Sequence, residues 1–290
     1  MPRTTIAGIG IEYELLGDAG AQAVAITPGG RFGKDSPGIR ELGELLAAQG
    51  RRVLLWDRPN CGASDISFEG ENESELQAQT LTQLIRALDL GPTALTGGSA
   101  GSRVSLIAAA HDPQIVSHLV QWWISGGLIG LMMLGASYCC ESAVSASMAG
   151  MEAVTRLPLW AEQVERNPRN RDTILSQDRD WFIARMEKWA SVFVPVENSP
   201  VPGMSPQDFG KLTMPVLIFR GSPKDLYHPA HIAEWVHRLV PHSEMIDAPW
   251  AEDAFERRMI AAAQTGSGHF LDWPLLAPAT LEFTGHSGSR

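Results

Sequence analysis

Short apolar runs alternate with helically spaced ones through the first half of the chain. Ala23–Thr27 (AVAIT) and Arg52–Trp56 (RVLLW) are apolar runs that end at turn residues, and between them Ile39, Leu42, Leu45 and Leu46 recur with helical spacing. That arrangement predicts a βαβ unit. A second helix, carried by Leu76, Leu81, Leu84, Ile85 and Leu88, follows ENES, where Asn72 or Ser74 is placed to cap it. A strand over Thr93–Gly97 and a helix over Ala100–Ala110 come next. Strands separated in this way by helices imply an α/β fold: a mostly parallel sheet with helices on both faces.

The apolar run Val116–Ile124 ends at Gly126-Gly127, and there the pattern changes. As far as about Gly210 the segments are helical, contain Met and Trp, and show no strand alternation, which predicts an inserted α-helical cap over 126–210. Strand character resumes at Met214–Gly221, followed by a helix in PAHIAEWVHRLV and a short strand in SEMIDAP. The sheet is re-entered after the insertion, so residues 1–125 and 211–290 are expected to form one core. No internal repeat is visible.

Length and charge narrow the function. A chain of 290 residues, 44% hydrophobic and 19% charged, has room for one large α/β domain with an insertion. Its net charge of −10 disfavours nucleic acid as a partner, which calls for clustered Lys and Arg. The N-terminal stretch lacks the apolar core of a signal peptide, and Gly126–Cys140, the most apolar run, reads as too short to span a bilayer and as a helix covering apolar surface. Three cysteines, Cys61, Cys139 and Cys140, do not form a disulfide framework. The expectation is a cytoplasmic monomer or homodimer acting on a small molecule, without a membrane or nucleic-acid partner.

Candidate chemistry sits at the junction of the Thr93 strand and the Ala100 helix, where Gly97-Gly98-Ser99-Ala100-Gly101 matches G-x-S-x-G. A serine held on so sharp a turn brings the residues two before and two after it together, and only small side chains fit there. The helix beginning at Ala100 aims its free N–H groups at any anion forming beside the serine oxygen. A serine hydroxyl also needs a base, and the base an orienting carboxylate. Asp225, in FRGSPKDLYHP just past the Met214 strand, and His269, in the Gly-rich GSGHFLDWP, are the candidates.

GGSAG, RGSPKD and GSGHF, in that order and separated by a helical insertion, resemble the α/β-hydrolase family; WDRPNCGASD resembles a turn of its capped members, with Asn60 where a glycine is usual. The resemblance implies catalytic residues Ser99, Asp225 and His269 and an oxyanion hole from the N–H of Ala100 and of Gly29, with Gly30 the alternative. The oxyanion loop departs from the family in carrying Thr27-Pro28 where many members have His-Gly, and proline has no N–H to offer. The stretch Trp250–Gly268 inserts a further helix before His269, expected to pack against the cap and narrow the entrance.

The other histidines are set aside at this level. His111 and His118 lie away from the expected edge, His237 and His242 on or after a surface helix, and His286 near the chain end; His228 and His231 read as a solvated helix start, without the third ligand a metal requires. No metal or other cofactor is expected. Trp122, Trp123, Ser125, Met132 and Trp160 are the candidate pocket residues. The reading is a serine hydrolase of small, largely hydrophobic carboxylic esters or lactones. A C–C bond hydrolase of ring-cleavage products, a proline iminopeptidase-like peptidase and a non-catalytic small-molecule receptor are the alternatives; epoxide hydrolases and haloalkane dehalogenases carry an aspartate where Ser99 stands.

Overall fold

In a computed structural model, residues 2–265 and 268–285 are described. His286, and Gly266 and Ser267 of the GSGHF stretch, lie outside the described residues. The strands are β1 (Arg3–Ile6), β2 (Ile9–Leu16), β3 (Ala23–Thr27), β4 (Arg52–Trp56), β5 (Thr93–Gly98), β6 (Val116–Trp122), β7 (Val216–Arg220) and β8 (Glu244–Asp247). Around them lie α1 (Ile39–Ala48), α2 (Glu73–Ala87) and α3 (Ala100–His111). Between β6 and β7 come α4 (Leu128–Gly135), α5 (Glu141–Ala149), α6 (Met151–Val154), α7 (Pro158–Arg166), α8 (Arg169–Leu175), α9 (Arg179–Ala190) and α10 (Pro206–Phe209). The chain closes with α11 (Ala230–Leu239), α12 (Ala254–Thr265) and α13 (Ala277–Gly285).

The strands form one sheet in the order β1-β2-β4-β3-β5-β6-β7-β8, parallel from β4 onward. The hairpin β1–β2 is antiparallel and was not anticipated from the sequence; its turn places Ala7 and Gly8 at positive φ. Successive strand residues face opposite layers. Val53 and Leu55 join α1 and α13 on one face, while Leu54 and Trp56 join α2, α3 and α11 on the other. Asn72 caps α2 by accepting from the Glu75 N–H at 2.9 Å.

The segment between β6 and β7 has a core of its own, in which Trp160, Phe182, Met186 and Trp189 pack with Ile66 and Phe68. The apolar run seen in the sequence is longer as a helix. Leu128–Ala149 forms 22 residues of near-continuous helix with mean hydropathy 1.4, long and apolar enough to cross a membrane by length and composition. Its inner side, with Leu131, Leu134, Tyr138 and Cys139, packs into that core. A π-helical turn over Ala136–Cys140 interrupts it.

The strand order reverses between β3 and β5, with Thr27 paired to Gly97. At such a switch point the carboxyl ends of two neighbouring strands open a crevice. The Pro28–Arg31 loop and Ser99 meet there.

Candidate active site

Ser99 leaves β5 with φ 58° and ψ −120°, a conformation an L-residue adopts only at a cost. Its surroundings hold it there. A Cβ on Gly97 would lie 2.6 Å from the carbonyl carbon of Gly101, and one on Gly101 would lie 2.0 Å from the Thr27 carbonyl oxygen. The Ser99 N–H donates to the carbonyl of Trp123 at 2.9 Å, and Trp123 is itself at φ 47°. Ser99 is the N-cap of α3, so the Ala100 N–H, in the first turn, has no partner within the helix.

The histidine against the serine is His228, not His269. His228 Nε2 lies 2.9 Å from Ser99 Oγ, and its Nδ1 lies 2.9 Å from Asp225 Oδ2. A carboxylate accepts only, so Nδ1 carries a proton and, in the neutral ring, Nε2 accepts from the serine hydroxyl. Local chain geometry produces this. Asp225 Oδ1 accepts from the backbone N–H of Tyr227 at 2.8 Å and of His228 at 3.0 Å, folding residues 225–228 into a turn that swings the imidazole back over Oδ2. Asp225 and His228 are both buried, and the His228 ring stacks on Trp123 at 5.7 Å and meets the edge of Phe255 at 4.8 Å. The sequence analysis reads His228, with His231, as a solvated helix start for want of a third metal ligand, and the structure overturns that. The available signal was the D-x-x-H-P spacing directly after a buried strand.

His269 occupies another part of the same cavity. It is half-buried, packs against Phe32 with ring centroids 4.8 Å apart, and makes no hydrogen bond to a described residue. Burial holds its pKa below the ordinary histidine value. The long connection through α12 carries it there. Its Phe255 covers His228 and Trp123, while Met259 faces the cavity opposite Pro158 and Leu159 of α7.

The cavity measures about 370 Å³, and Gly30, Trp123, Tyr138, Leu159, Tyr227 and Phe270 are among its walls. Of the five expected pocket residues, Trp123 lines it, and Ser125 is buried with its hydroxyl 3.3 Å from Ser99 Oγ. The other three do not face it. Trp122 is buried behind Gly98 against Trp273, Trp160 is buried in the core of the insertion, and Met132 is 63% exposed in a separate apolar groove. Residues at a strand end alternate faces, so Trp122 and Trp123 cannot share a wall.

The second oxyanion candidate, Gly29, sits against Ser99: a Cβ there would be 3.2 Å from the Ser99 Cβ. Gly30 follows at φ 49° and lines the cavity. Arg58 pins this loop by donating to the carbonyls of Gly29 at 3.2 Å and Gly30 at 2.6 Å. Asn60 takes a left-handed backbone, φ 70°, in place of glycine. Its amide accepts from the Ser67 N–H and donates to Glu73. Cys61 and Cys139 are buried thiols pushed up to about 11 and about 12 by desolvation, which keeps them protonated. Among the described residues no group of three His, Cys, Asp or Glu is arranged to hold a metal ion.

Comparison with known proteins agrees with this architecture. Residues 28–121 match the family described as the alpha/beta hydrolase fold. The chain is 25% identical to the human serine hydrolase BPHL over 249 residues, 84% of this chain and 76% of that protein. It is 36% identical to the 2-hydroxy-6-oxononadienedioate/2-hydroxy-6-oxononatrienedioate hydrolase of Cupriavidus pinatubonensis, but over 77 residues, 27% of each chain. Among solved structures, MGS-M2, an alpha/beta hydrolase enzyme from a deep-sea metagenome library of the Medee basin, superposes with a TM-score of 0.62 at 16% identity, covering 100% of this chain and 99% of that one.

Proposed function

We propose that this chain, which has the α/β-hydrolase fold, is a serine hydrolase of small carboxylic esters or lactones, with His228 in the role expected of His269. The observation that carries this reading is the unbroken chain from Ser99 Oγ through His228 to Asp225, two contacts of 2.9 Å at the wall of a largely apolar cavity. In this mechanism His228 Nε2 takes the hydroxyl proton as Ser99 Oγ attacks the acyl carbon. The N–H groups of Ala100 and of Gly29 or Gly30 receive the oxyanion, and Asp225 stabilises the imidazolium. His228 then protonates the departing alkoxide, and a water activated by the same ring hydrolyses the acyl-enzyme. No cofactor enters any step. The insertion between β6 and β7 acts as the cap, its α7 closing the cavity opposite α12.

C–C bond hydrolysis of a ring-cleavage product is the second reading, favoured by the local likeness to the Cupriavidus hydrolase. A fluorophosphonate probe should label Ser99 and fail to label Ser99→Ala. A panel of 4-nitrophenyl esters, lactones and a dienone ring-cleavage product then separates the two readings. Folded wild-type protein that resists the probe and turns over no member of the panel would leave the pocket a binding site only.

A further inference from the structure

Arg31 is a buried cation in the cavity wall that acyl transfer does not use. It follows the two loop glycines, is 6% exposed, and lines the cavity with Ser99. Its Nη2 donates to Glu73 Oε2 at 3.2 Å and to the Tyr138 carbonyl, within the π-helical turn, at 3.4 Å. The guanidinium lies 4.0 Å from the Trp160 ring centroid and 5.4 Å from that of Tyr138. Nε and Nη1 are buried and find no acceptor among the described residues.

The neighbourhood compensates this charge only in part, through Glu73. Arg58 and Arg103 are buried close by, each with one further guanidinium nitrogen lacking an acceptor among the described residues. Arg58 is committed to Gln77 and the loop carbonyls, and Arg103 Nε to Ser74 Oγ at 2.7 Å. Glu73 is the carboxylate that serves the cluster, and it also accepts from Asn60. Burial raises the pKa of Tyr138 and Cys139, so neither supplies a negative charge near pH 7. Glu162, also in the wall, is already paired with Arg166 at 2.9 Å near the surface. Buried guanidinium N–H groups without acceptors are costly, and an anion entering the cavity would relieve that cost.

We propose that Arg31 receives a carboxylate on the acyl part of the substrate, so that the enzyme prefers monoesters of dicarboxylic acids, or the corresponding acidic lactones, to neutral ones. The inference rests on the hydrolase reading of Ser99. A single guanidinium flanked by Trp160 and Tyr138 suits a singly charged, planar carboxylate on a short carbon chain, which the apolar walls Leu134 and Leu159 accommodate. A phosphate dianion calls for more donors than this wall offers.

The test compares 4-nitrophenyl hemiesters of succinic, glutaric and adipic acids with the 4-nitrophenyl esters of butanoic, pentanoic and hexanoic acids. Wild-type protein should favour at least one hemiester by ~10-fold or more in kcat/KM over its neutral counterpart, as a charge-assisted hydrogen bond would supply. Arg31→Gln should bring that ratio to about one, chiefly through KM. Wild-type protein that labels with fluorophosphonate yet shows no preference, or favours the neutral esters, overturns the role of Arg31 and leaves the hydrolase reading standing. A preference that survives in Arg31→Gln overturns it equally. Absence of labelling and of all turnover removes both. Should Arg31→Gln fail to fold, the wild-type ratio decides alone.

Discussion

The loop after β7 and the segment after α12 each bring a histidine to one cavity, by opposite means. His228 is set by a four-residue turn whose backbone N–H groups donate to the Asp225 carboxylate, so carboxylate, imidazole and serine are ordered together. His269 arrives through α12 and a glycine-bearing connection, and packs against Phe32 without a hydrogen bond to a described residue. The difference is one of preorganisation. An imidazole held by a carboxylate needs little further ordering when a ligand binds, whereas a ring held by aromatic contacts to Phe32 and Phe270 has no hydrogen bond to a described residue to fix its orientation.

The largest effect expected follows from that contrast. His228→Ala should lower kcat for a 4-nitrophenyl ester by on the order of 10³-fold or more, as removal of a triad base does, while His269→Ala should change it by less than ~10-fold. Steady-state kinetics on the two variants checks this, and the reverse ranking would exchange the roles of the loops. Next in size is Asp225. Asp225→Asn retains an oxygen for the two backbone N–H groups but loses the charge, so it should cost on the order of 10³-fold in kcat with little loss of stability. Asp225→Ala also leaves those buried donors unpaired and should lower the unfolding free energy by about 1–3 kcal/mol in a denaturant titration. Equal stability of the two variants would mean that the turn does not depend on the carboxylate.

Most of the architecture was legible in the sequence, because buried parallel strands are short apolar runs and their helices keep a 3.6-residue period. Six of the eight strands among the described residues were anticipated, β3 and β4 with their observed ends. The hairpin β1–β2 escaped because Ile9, Ile11 and Tyr13 alternate within a stretch read only for a leader. At the site, Ser99 was legible from its glycines and Asp225 from its place after β7, since both depend on local chain geometry. His228 was not, because a histidine ahead of an amphipathic helix looks the same in sequence whether it is solvated or folded back on a carboxylate. Arg31 lay beyond sequence reasoning as well: its significance depends on Glu73, Tyr138 and Trp160, brought to it from distant parts of the chain.

The smallest expected effect probes the setting of the second loop. Burial holds the His269 pKa below its ordinary value of 6.5. As pH falls through about 6.5 the unfolded chain takes up a proton at this residue while the folded chain still keeps it neutral. The unfolded state then binds more protons, so stability rises with pH between the lower native pKa and about 6.5, and acidification through that window costs stability. Above it, His269 adds no pH dependence. His269→Gln removes this component, so between pH 7 and pH 5 the wild-type Tm should fall by more than that of the variant. Every other group is common to the two proteins and drops out of the difference. Parallel Tm curves would mean that His269 is as solvated in the folded protein as in the unfolded chain, and the burial that sets its loop apart from solvent would be lost.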